Sequence, residues 1–229
     1  MLRTPITLAA AGIAAALTLS ACGTVQLGAA AVTSNSRVSA AKVAAEVKDL
    51  TTAYRADKAK VSPQFPSSQT PQVVLAWLLR FKVRNQMAAR YHITVTRAQV
   101  QQAIASATAQ ARQSGITLAQ LAVANGVPPD QIGNLGRYLA IQNALLARMD
   151  GGKLPTGNSA LQALSTRFAV AQCRAAKSLG IRVNPQYGEL DYNQLAVVPA
   201  RSKLAAAADG ASPSPSASAT ASPQLTPHC

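Results

Sequence analysis

The sequence predicts a mainly α-helical fold. Alanine accounts for 48 of the 229 residues, and alanine has the highest intrinsic helix propensity. A parallel-sheet protein of this length would contain several Val/Ile-rich runs between helical segments, and such runs are almost missing from this sequence. Apolar stripes with helical spacing and helix-capping motifs recur along the chain. We therefore expect a helical domain with a short extended N-terminal lead-in and a closing C-terminal helix.

Residues 1–21 have the pattern of a lipoprotein signal peptide. Arg3 supplies a positive charge, and the apolar stretch 6–19 is too short to span a bilayer comfortably. The sequence Leu19-Ser20-Ala21-Cys22 then resembles the lipobox of bacterial lipoproteins, in which the cysteine becomes lipidated. We expect Cys22 to anchor the chain to the extracytoplasmic face of the bacterial cell membrane. The alternative is an ordinary secretory signal with an incidental cysteine.

Three regions follow the signal peptide. Residues 22–38 are predicted to form the lipidated N-terminus and an extended lead-in, in which 29–32 is a candidate strand. Residues 39–200 carry the helical patterns and most of the charge. Residues 201–229 are rich in alanine, serine and proline, so we expect a disordered tail there. Such a composition cannot bury enough apolar surface to offset the entropy of ordering.

The first two helices are predicted from an N-cap, a helix-starting proline and two apolar stripes. Ser39 is a good N-cap. The four apolar residues of the stripe that follows it are separated from one another by four, three and four positions. The first helix is therefore expected over 40–59, followed by a proline-containing loop at 62–66. Thr70-Pro71 begins a second helix that extends to about Tyr91. It is the most hydrophobic element, so we expect it at the centre of the fold.

Three further helix starts carry the capping-box pattern, in which a Ser or Thr side chain bonds a backbone amide and a Gln three residues later bonds back. The pairs are Thr96 with Gln99, Thr117 with Gln120, and Ser159 with Gln162. Their helices are expected to end near Ser114, Asn125 and Leu179, with a proline-led helix starting at 128–130 between the last two. The helix after Thr96 has a thin apolar stripe, which indicates close helix packing or a face left for a partner.

Composition and motifs argue against most enzyme classes. The chain has 22 basic but only 8 acidic residues, a formal net charge of +14, so carboxylates are too sparse for a carboxylate-built metal site or a glycosidase pair. The histidines, His92 and His228, lack the spacing of metal ligands. No nucleophile, phosphate-loop or nucleic-acid-binding motif occurs. We expect no enzymatic activity, no cofactor, no metal and no nucleic-acid partner.

Four basic residues of the second helix have few acidic neighbours in the sequence. They are a candidate basic ridge for anionic ligands, and the alternative is a solvated helix face. The four residues are Arg80, Lys82, Arg84 and Arg90.

Two cysteines remain once Cys22 is reserved for the lipid, and a disulfide can persist outside the cytoplasm. Cys173 and Cys229 are therefore candidates for a disulfide. The sequence leaves open the alternative that Cys173 is a small buried apolar residue and Cys229 a free or intermolecular thiol.

The order of the predicted elements resembles the N-terminal domain of SurA-type periplasmic chaperones over about residues 29–190. A short strand candidate at 181–183 precedes the most specific piece, Val183-Asn184-Pro185-Gln186-Tyr187-Gly188. This segment resembles the Val-Asn-Pro-Arg-aromatic-Gly segment that closes related lipoproteins of high-GC Gram-positive bacteria. Gln186 departs from the usual basic residue. The sequence 33–36 also departs, because the family usually has an apolar residue and an Asn/Asp-Gly turn there.

The resemblance implies a chaperone-like function without isomerase activity. In that family a parvulin-type prolyl isomerase domain is often inserted before the last helix, where this chain has only the short loop 151–158. A domain of that kind needs roughly a hundred residues. What remains is the binding of unfolded or secreted polypeptides in an apolar groove among the helices. The candidate groove residues, which could alternatively all be core, are Val74, Trp77, Leu78, Phe81, Leu139 and Leu146.

A second hypothesis is a basic envelope scaffold. The positive charge of the chain suits anionic lipid, wall polymer or acidic protein partners, and the lipid anchor would hold the protein at the membrane. Salt distinguishes the two hypotheses, because charge-based binding is screened at moderate ionic strength whereas binding in an apolar groove persists.

Overall fold

The computed structural model of this chain describes residues 28–57, 60–152 and 157–200. The predicted signal peptide, the predicted lipidation site Cys22, the C-terminal Cys229 and the predicted tail 201–229 lie outside these residues. The described elements, in chain order, are β1 (Ala29–Thr33), β2 (Ser36–Ser39), α1 (Ala40–Ala56), α2 (Thr70–Arg90), α3 (Arg97–Gln113), α4 (Leu118–Ala124), α5 (Ile132–Met149), α6 (Asn158–Ser178), β3 (Arg182–Val183), β4 (Glu189–Asp191) and β5 (Ala196–Val198). The mainly α-helical fold class is confirmed.

Helix α2 lies at the centre of the fold, as the sequence predicts. It packs against α1, α5, α6 and β5. Its side chains Leu75, Leu79, Val83 and Met87 are completely buried. These four positions follow one another at spacings of four, so they form one continuous face of the helix. Burial of an apolar face of this kind is the main source of helix stability in a folded protein.

Helices α3 and α5 pack closely because a glycine lies at their contact. A Cβ atom added at Gly136 of α5 would lie 2.5 Å from Cγ1 of Ile104 on α3. Ala103 and Ala111 of α3 are also buried. The thin apolar stripe of α3 therefore reflects close helix packing, the first of the two interpretations that the sequence allows.

The lead-in forms a three-stranded antiparallel sheet with the segment that follows α6. β1 lies between β2 and β3, and Ala31 of β1 is opposite Val183 of β3. Asn184 strengthens this junction, because its backbone N–H donates to the carbonyl of Ala30 at 2.8 Å and its side-chain amide donates to the carbonyl of Ala29 at 3.1 Å. The Val183–Gly188 segment thus fastens the lead-in to the end of the helical region.

The β1–β2 hairpin forms without an Asn/Asp-Gly turn. The hydroxyl of Thr33 accepts the backbone N–H of Ser36 at 3.0 Å and lies 2.9 Å from the carbonyl oxygen of Ser36. The backbone N–H of Ser34 donates to the carbonyl of Leu179 at 2.8 Å. A side-chain hydroxyl and a tertiary contact therefore close this turn, which contains no glycine.

Two of the three predicted capping boxes are confirmed. The hydroxyls of Thr96 and Thr117 each accept the backbone N–H of the glutamine three residues later, and the backbone N–H of each threonine donates to the side-chain carbonyl of that glutamine. The box predicted at Ser159 is wrong, because α6 begins at Asn158 after Gly157 and has no side-chain cap. Ser159 therefore lies inside the helix, where its hydroxyl is exposed rather than positioned as a cap.

Three other boundaries differ from the prediction. α1 ends at Ala56 rather than at 59, and the backbone N–H of Asp57 closes its last turn on the carbonyl of Ala53. A single 3-10 turn at Pro129–Gln131 precedes α5, which begins at Ile132. The antiparallel pair β4 and β5 follows β3 and was not predicted, because its strands have only three residues each. No helix in the described ranges is both long enough and apolar enough to cross a bilayer.

Candidate functional site

The six predicted groove residues do not line one open groove. Val74 and Leu78 belong to the main core, and Phe81 belongs to a smaller buried cluster against which Trp77 and Leu139 pack. Leu146 is half-buried and belongs to neither cluster. The predicted groove is therefore wrong as a single surface, because the neighbouring helices cover most of the α2 stripe.

Trp77 is a packed side chain rather than an exposed one. Its indole N–H donates to the carbonyl of Asn125 at 2.8 Å. Its ring lies 5.7 Å from the ring of Phe81 and 5.8 Å from that of Tyr138, measured between centroids. The guanidinium of Arg80 lies above it at 5.0 Å. Trp77 thus holds α2 against α5 and against the end of α4.

The four residues of the predicted basic ridge lie in three different environments, so the ridge as predicted is wrong. Arg84 is only 2% exposed. Arg80 is half-buried and donates to the carbonyl of Leu195 at 3.1 Å. Lys82 donates to the hydroxyl of Ser36 at 2.9 Å, and Arg90 is exposed.

Burial lowers the pKa of both Arg80 and Arg84, and the neighbouring Tyr138 opposes this shift. Two of the four cations thus lie inside the fold rather than on a surface ridge. The physical reason is the helical period, since Arg84 follows the apolar position 81 by three residues and precedes the apolar position 88 by four.

Arg90 contributes instead to an open cleft between the ends of α2 and α5 and one face of α6, which we call the α6 cleft. Its volume is about 670 Å³. The residues that line it are Arg90, Tyr91, Met149, Thr166, Arg167, Val170, Ala171 and Arg174. Because residues 167, 171 and 174 recur at helical spacing, they lie on one side of α6.

The α6 cleft combines an apolar floor with a basic rim. Tyr91, Met149 and Val170 are half-buried, whereas the three arginines are exposed. Arg167 lies 3.4 Å from a carboxylate oxygen of Asp150 and donates to the carbonyl of Met149 at 3.3 Å. The lining contains no acidic side chain. The cleft therefore presents more positive charge than its own neighbours neutralise.

Two of the three guanidinium groups are available to a ligand. Neither Arg90 nor Arg174 makes a side-chain hydrogen bond or an ion pair with any residue of the described ranges. Sequence reasoning identified Arg90 alone. The available signal was the spacing of Arg167 and Arg174, which are two helical turns apart on one side of α6, next to its predicted core face.

Cys173 is buried and disulfide-bonded. Since Cys22 and Cys229 lie outside the described residues, the pairing of Cys173 with Cys229 stays a prediction. In the part of the chain that the structure describes, no group of three or more His, Cys, Asp or Glu side chains is placed to hold a metal ion.

Comparison with known proteins gave no match. No protein-family model matches the chain, and neither the curated proteins nor the solved structures contain a match to it.

Proposed function

We propose that this chain is a membrane-anchored extracytoplasmic lipoprotein that binds unfolded or secreted polypeptides and has no isomerase activity. The observation that carries the proposal is the α6 cleft, with its apolar floor and two arginines whose side chains have no partner among the described residues. The sequence resemblance to SurA-type chaperone domains and the lipobox at Cys22 support the same role.

The chemistry of the cleft selects the class of polypeptide segment. Val170 and Met149 offer apolar contact area, and Arg90 and Arg174 offer donors for carboxylates at the rim. An extended segment in which apolar side chains alternate with Asp or Glu matches both features. Such a segment would gain apolar burial on the floor and charge-assisted hydrogen bonds at the rim.

A binding experiment with paired peptides tests the proposal. A fluorescent peptide that alternates Leu with Glu should bind the chain, and the matching Leu/Lys peptide should bind at least tenfold more weakly. The Arg90→Gln/Arg174→Gln double variant should weaken binding of the Leu/Glu peptide by about tenfold to a hundredfold, since each charge-assisted bond contributes roughly 1.5 kcal/mol. Arg97→Gln/Arg112→Gln removes the same charge from exposed positions outside the cleft and should have little effect.

Aggregation of a denatured secreted protein at low and moderate salt gives the functional measurement. We expect protection that moderate salt reduces but does not abolish, because apolar contacts persist when charges are screened. No peptide binding and no protection at either salt would exclude the polypeptide-binding role. Trp77→Ala is unsuitable as the diagnostic variant, since Trp77 packs between α2 and α5 and its removal would perturb the fold.

One observation favours the alternative of a basic envelope scaffold. Among the described residues, Leu161 is the only large apolar side chain that is strongly exposed. A surface with so few exposed large apolar side chains and a formal net charge of +14 suits anionic lipid, wall polymer or an acidic protein. Binding to anionic vesicles that disappears at moderate salt, together with no protection of the denatured protein, would establish the scaffold role instead.

A further inference from the structure

One face of the three-stranded sheet carries two arginines on either side of a valine. Val32 of β1 is directly opposite Arg37 of β2 and Arg182 of β3. Side chains directly opposite one another in antiparallel strands lie on the same face of a sheet. Arg37 and Arg182 are exposed, and Val32 is half-buried. We call these three residues the arginine row. Because neighbouring strands are about 4.8 Å apart, its two arginines leave the backbone about 10 Å from each other.

The adjacent row of the sheet shows that the arginine row faces outward. In that row Ala31 is opposite Val38 and Val183. Ala31 and Val38 belong to the main core, and Val183 packs against it. Successive residues of a strand point to opposite faces of the sheet. The arginine row therefore points away from the core.

The charges of the arginine row are not neutralised within the described fold. Neither Arg37 nor Arg182 makes a side-chain hydrogen bond or an ion pair with a residue of the described ranges. Arg182 lines a groove with Glu189, but no ion pair forms between them. Lys82 adds a third cation at the hairpin, since its ammonium group donates to the hydroxyl of Ser36 at 2.9 Å. The row thus offers two guanidinium groups to an anionic partner.

The path of the chain brings this sheet close to the predicted lipid anchor. The backbone N–H of Ala40, which follows β2, donates to the carbonyl of Gly28 at 2.7 Å, so Gly28 lies at the end of the same hairpin. Gly28 and Cys22 are six positions apart in the sequence, and six residues span at most about 20 Å. A lipid on Cys22 would therefore hold the start of β1 within about 20 Å of the bilayer.

We propose that the arginine row docks on the phosphate groups of anionic phospholipids at the bilayer surface. Guanidinium groups form paired, charge-assisted hydrogen bonds with phosphate oxygens. The anchor favours lipid over wall polymer or an acidic protein, because it raises the effective concentration of the bilayer at the sheet. The proposal rests on the lipid anchor of the proposed function and is independent of polypeptide binding.

Two apolar side chains report on docking from different places in the fold. Val32 lies within the arginine row. The backbone N–H of Ser34 donates to the carbonyl of Leu179, so the C-terminal end of α6 lies at the sheet. Leu161 is 18 positions before Leu179, about 27 Å away along the helix axis. It is also exposed. Leu161 therefore serves as a reference far from the row.

Paramagnetic relaxation measures docking of the lipid-anchored protein. The protein is placed in nanodiscs that contain a phospholipid with a spin-labelled headgroup, and the methyl signals of Val32 and Leu161 are recorded. Phosphatidylglycerol in the bilayer should increase the relaxation enhancement at Val32 at least about fivefold over phosphatidylcholine alone. The enhancement at Leu161 should stay nearly the same. Mass spectrometry checks that Cys22 carries the lipid.

Matched variants assign the docking to the row. Arg37→Gln/Arg182→Gln should lower the ratio of docked to undocked protein about twentyfold, because each arginine at an anionic bilayer contributes about fivefold. Both side chains are exposed, so this variant should fold. Arg97→Gln/Arg112→Gln removes the same charge from exposed positions of α3 and should dock as the wild type does.

Four outcomes would overturn the proposal. The first is equal relaxation enhancement at Val32 in the two bilayers. The second is an equal loss of docking in the two double variants, since net charge rather than the row would then hold the protein. The third is displacement of the row from the bilayer by soluble poly(glycerol phosphate), which would make a wall polymer the partner. The fourth is a Cys22 without lipid. Loss of Leu/Glu peptide binding with docking intact would count against the proposed function alone.

Discussion

Ile104 of α3 packs directly on Gly136 of α5, and this contact sets how closely the two helices approach. A Cβ atom added at Gly136 would lie 2.5 Å from Cγ1 and 2.6 Å from Cδ1 of Ile104. Gly133 lies one turn earlier on the same helix, and a Cβ atom there would meet nothing within 4 Å. The two glycines therefore separate the packing role of a glycine from its effect on helix propensity.

Gly136→Ala should destabilise the fold by about 1–3 kcal/mol, because the added methyl group overpacks the α3–α5 contact. Gly133→Ala should stabilise it by about 0.5–1 kcal/mol through the higher helix propensity of alanine. Urea unfolding of both variants measures the two free energies. Equal changes in the free energy of unfolding for the two variants would show that α3 and α5 do not pack as closely as described.

Tyr138→Phe should cost about 1.5–3 kcal/mol of unfolding free energy, because it removes the shortest hydrogen bond of the buried Arg84 while keeping the aromatic ring. Tyr187→Phe is the control, since the hydroxyl of Tyr187 makes no side-chain hydrogen bond within the described part of the chain. Chemical denaturation of both variants measures the difference. A Tyr138→Phe protein as stable as the control would contradict the importance of this bond.

Thr96→Ala should cost about 1 kcal/mol, because it removes the N-cap of α3 and leaves the backbone N–H of Gln99 without its acceptor. Ser159→Ala should change stability by less than about 0.5 kcal/mol, because Ser159 lies inside α6 and caps nothing. The pair distinguishes a true capping box from a sequence pattern that only resembles one. Thermal unfolding of the two variants measures both effects. A larger loss of stability for Ser159→Ala would show that Ser159 caps α6 as the sequence predicts.

Local signals explain what the sequence could predict. The two confirmed capping boxes and Pro71 mark helix starts because they satisfy or remove backbone N–H groups that a helix leaves unpaired. The same kind of pattern failed at Ser159, where the helix begins one residue earlier and the hydroxyl no longer reaches the free amides. The β4–β5 pair was missed because three-residue strands carry too little alternation to detect.

The candidate functional site depends on tertiary contacts, which local sequence patterns do not contain. The α6 cleft needs the ends of α2 and α5 to meet one face of α6, and nothing in the sequence places Arg90 beside Arg174. Arg84 could have been recognised, because position 84 continues the apolar series 74, 78 and 81 at helical spacing. Its charge suggested a surface position, but its stacking on Tyr138 and Phe168 makes the buried position tolerable.

Glu46 of α1 gives the fold a pH-dependent contact. Its carboxylate is buried, accepts a hydrogen bond from Gln131 at 2.8 Å and pairs with Lys42, while its Oε2 atom has no hydrogen-bond partner among the described residues. Burial raises the pKa of Glu46, the neighbouring Asp130 carboxylate raises it further, and Lys42 opposes the shift. The pKa of Asp130 falls below its ordinary value of 3.8, because the neighbouring Glu46 carboxyl, the hydrogen bond from Gln131 and the charge of Lys42 outweigh its burial.

These shifts fix the sign of the pH dependence. Since the folded state holds the Glu46 proton more tightly than the unfolded state does, the contribution of Glu46 to stability is present below its ordinary pKa of 4.5 and is lost as pH rises through the higher folded value. Asp130 has the opposite effect on stability. Its contribution is present above its ordinary pKa of 3.8 and is lost as pH falls through the lower folded value. The range above pH 4.5 therefore isolates Glu46.

Glu46→Gln should remove this loss of stability, because glutamine is uncharged at every pH and its side-chain carbonyl can still accept the hydrogen bond from Gln131. The free energy of unfolding of Glu46→Gln minus that of the wild type should become more positive as pH rises above 4.5 and should level off above the folded pKa of Glu46. Urea unfolding at half-unit pH intervals measures this difference. Asp49→Asn, which neutralises an exposed carboxylate of the same helix, controls for charge alone. A Glu46→Gln difference that stays flat, or that Asp49→Asn reproduces, would show that burial of Glu46 is not the cause.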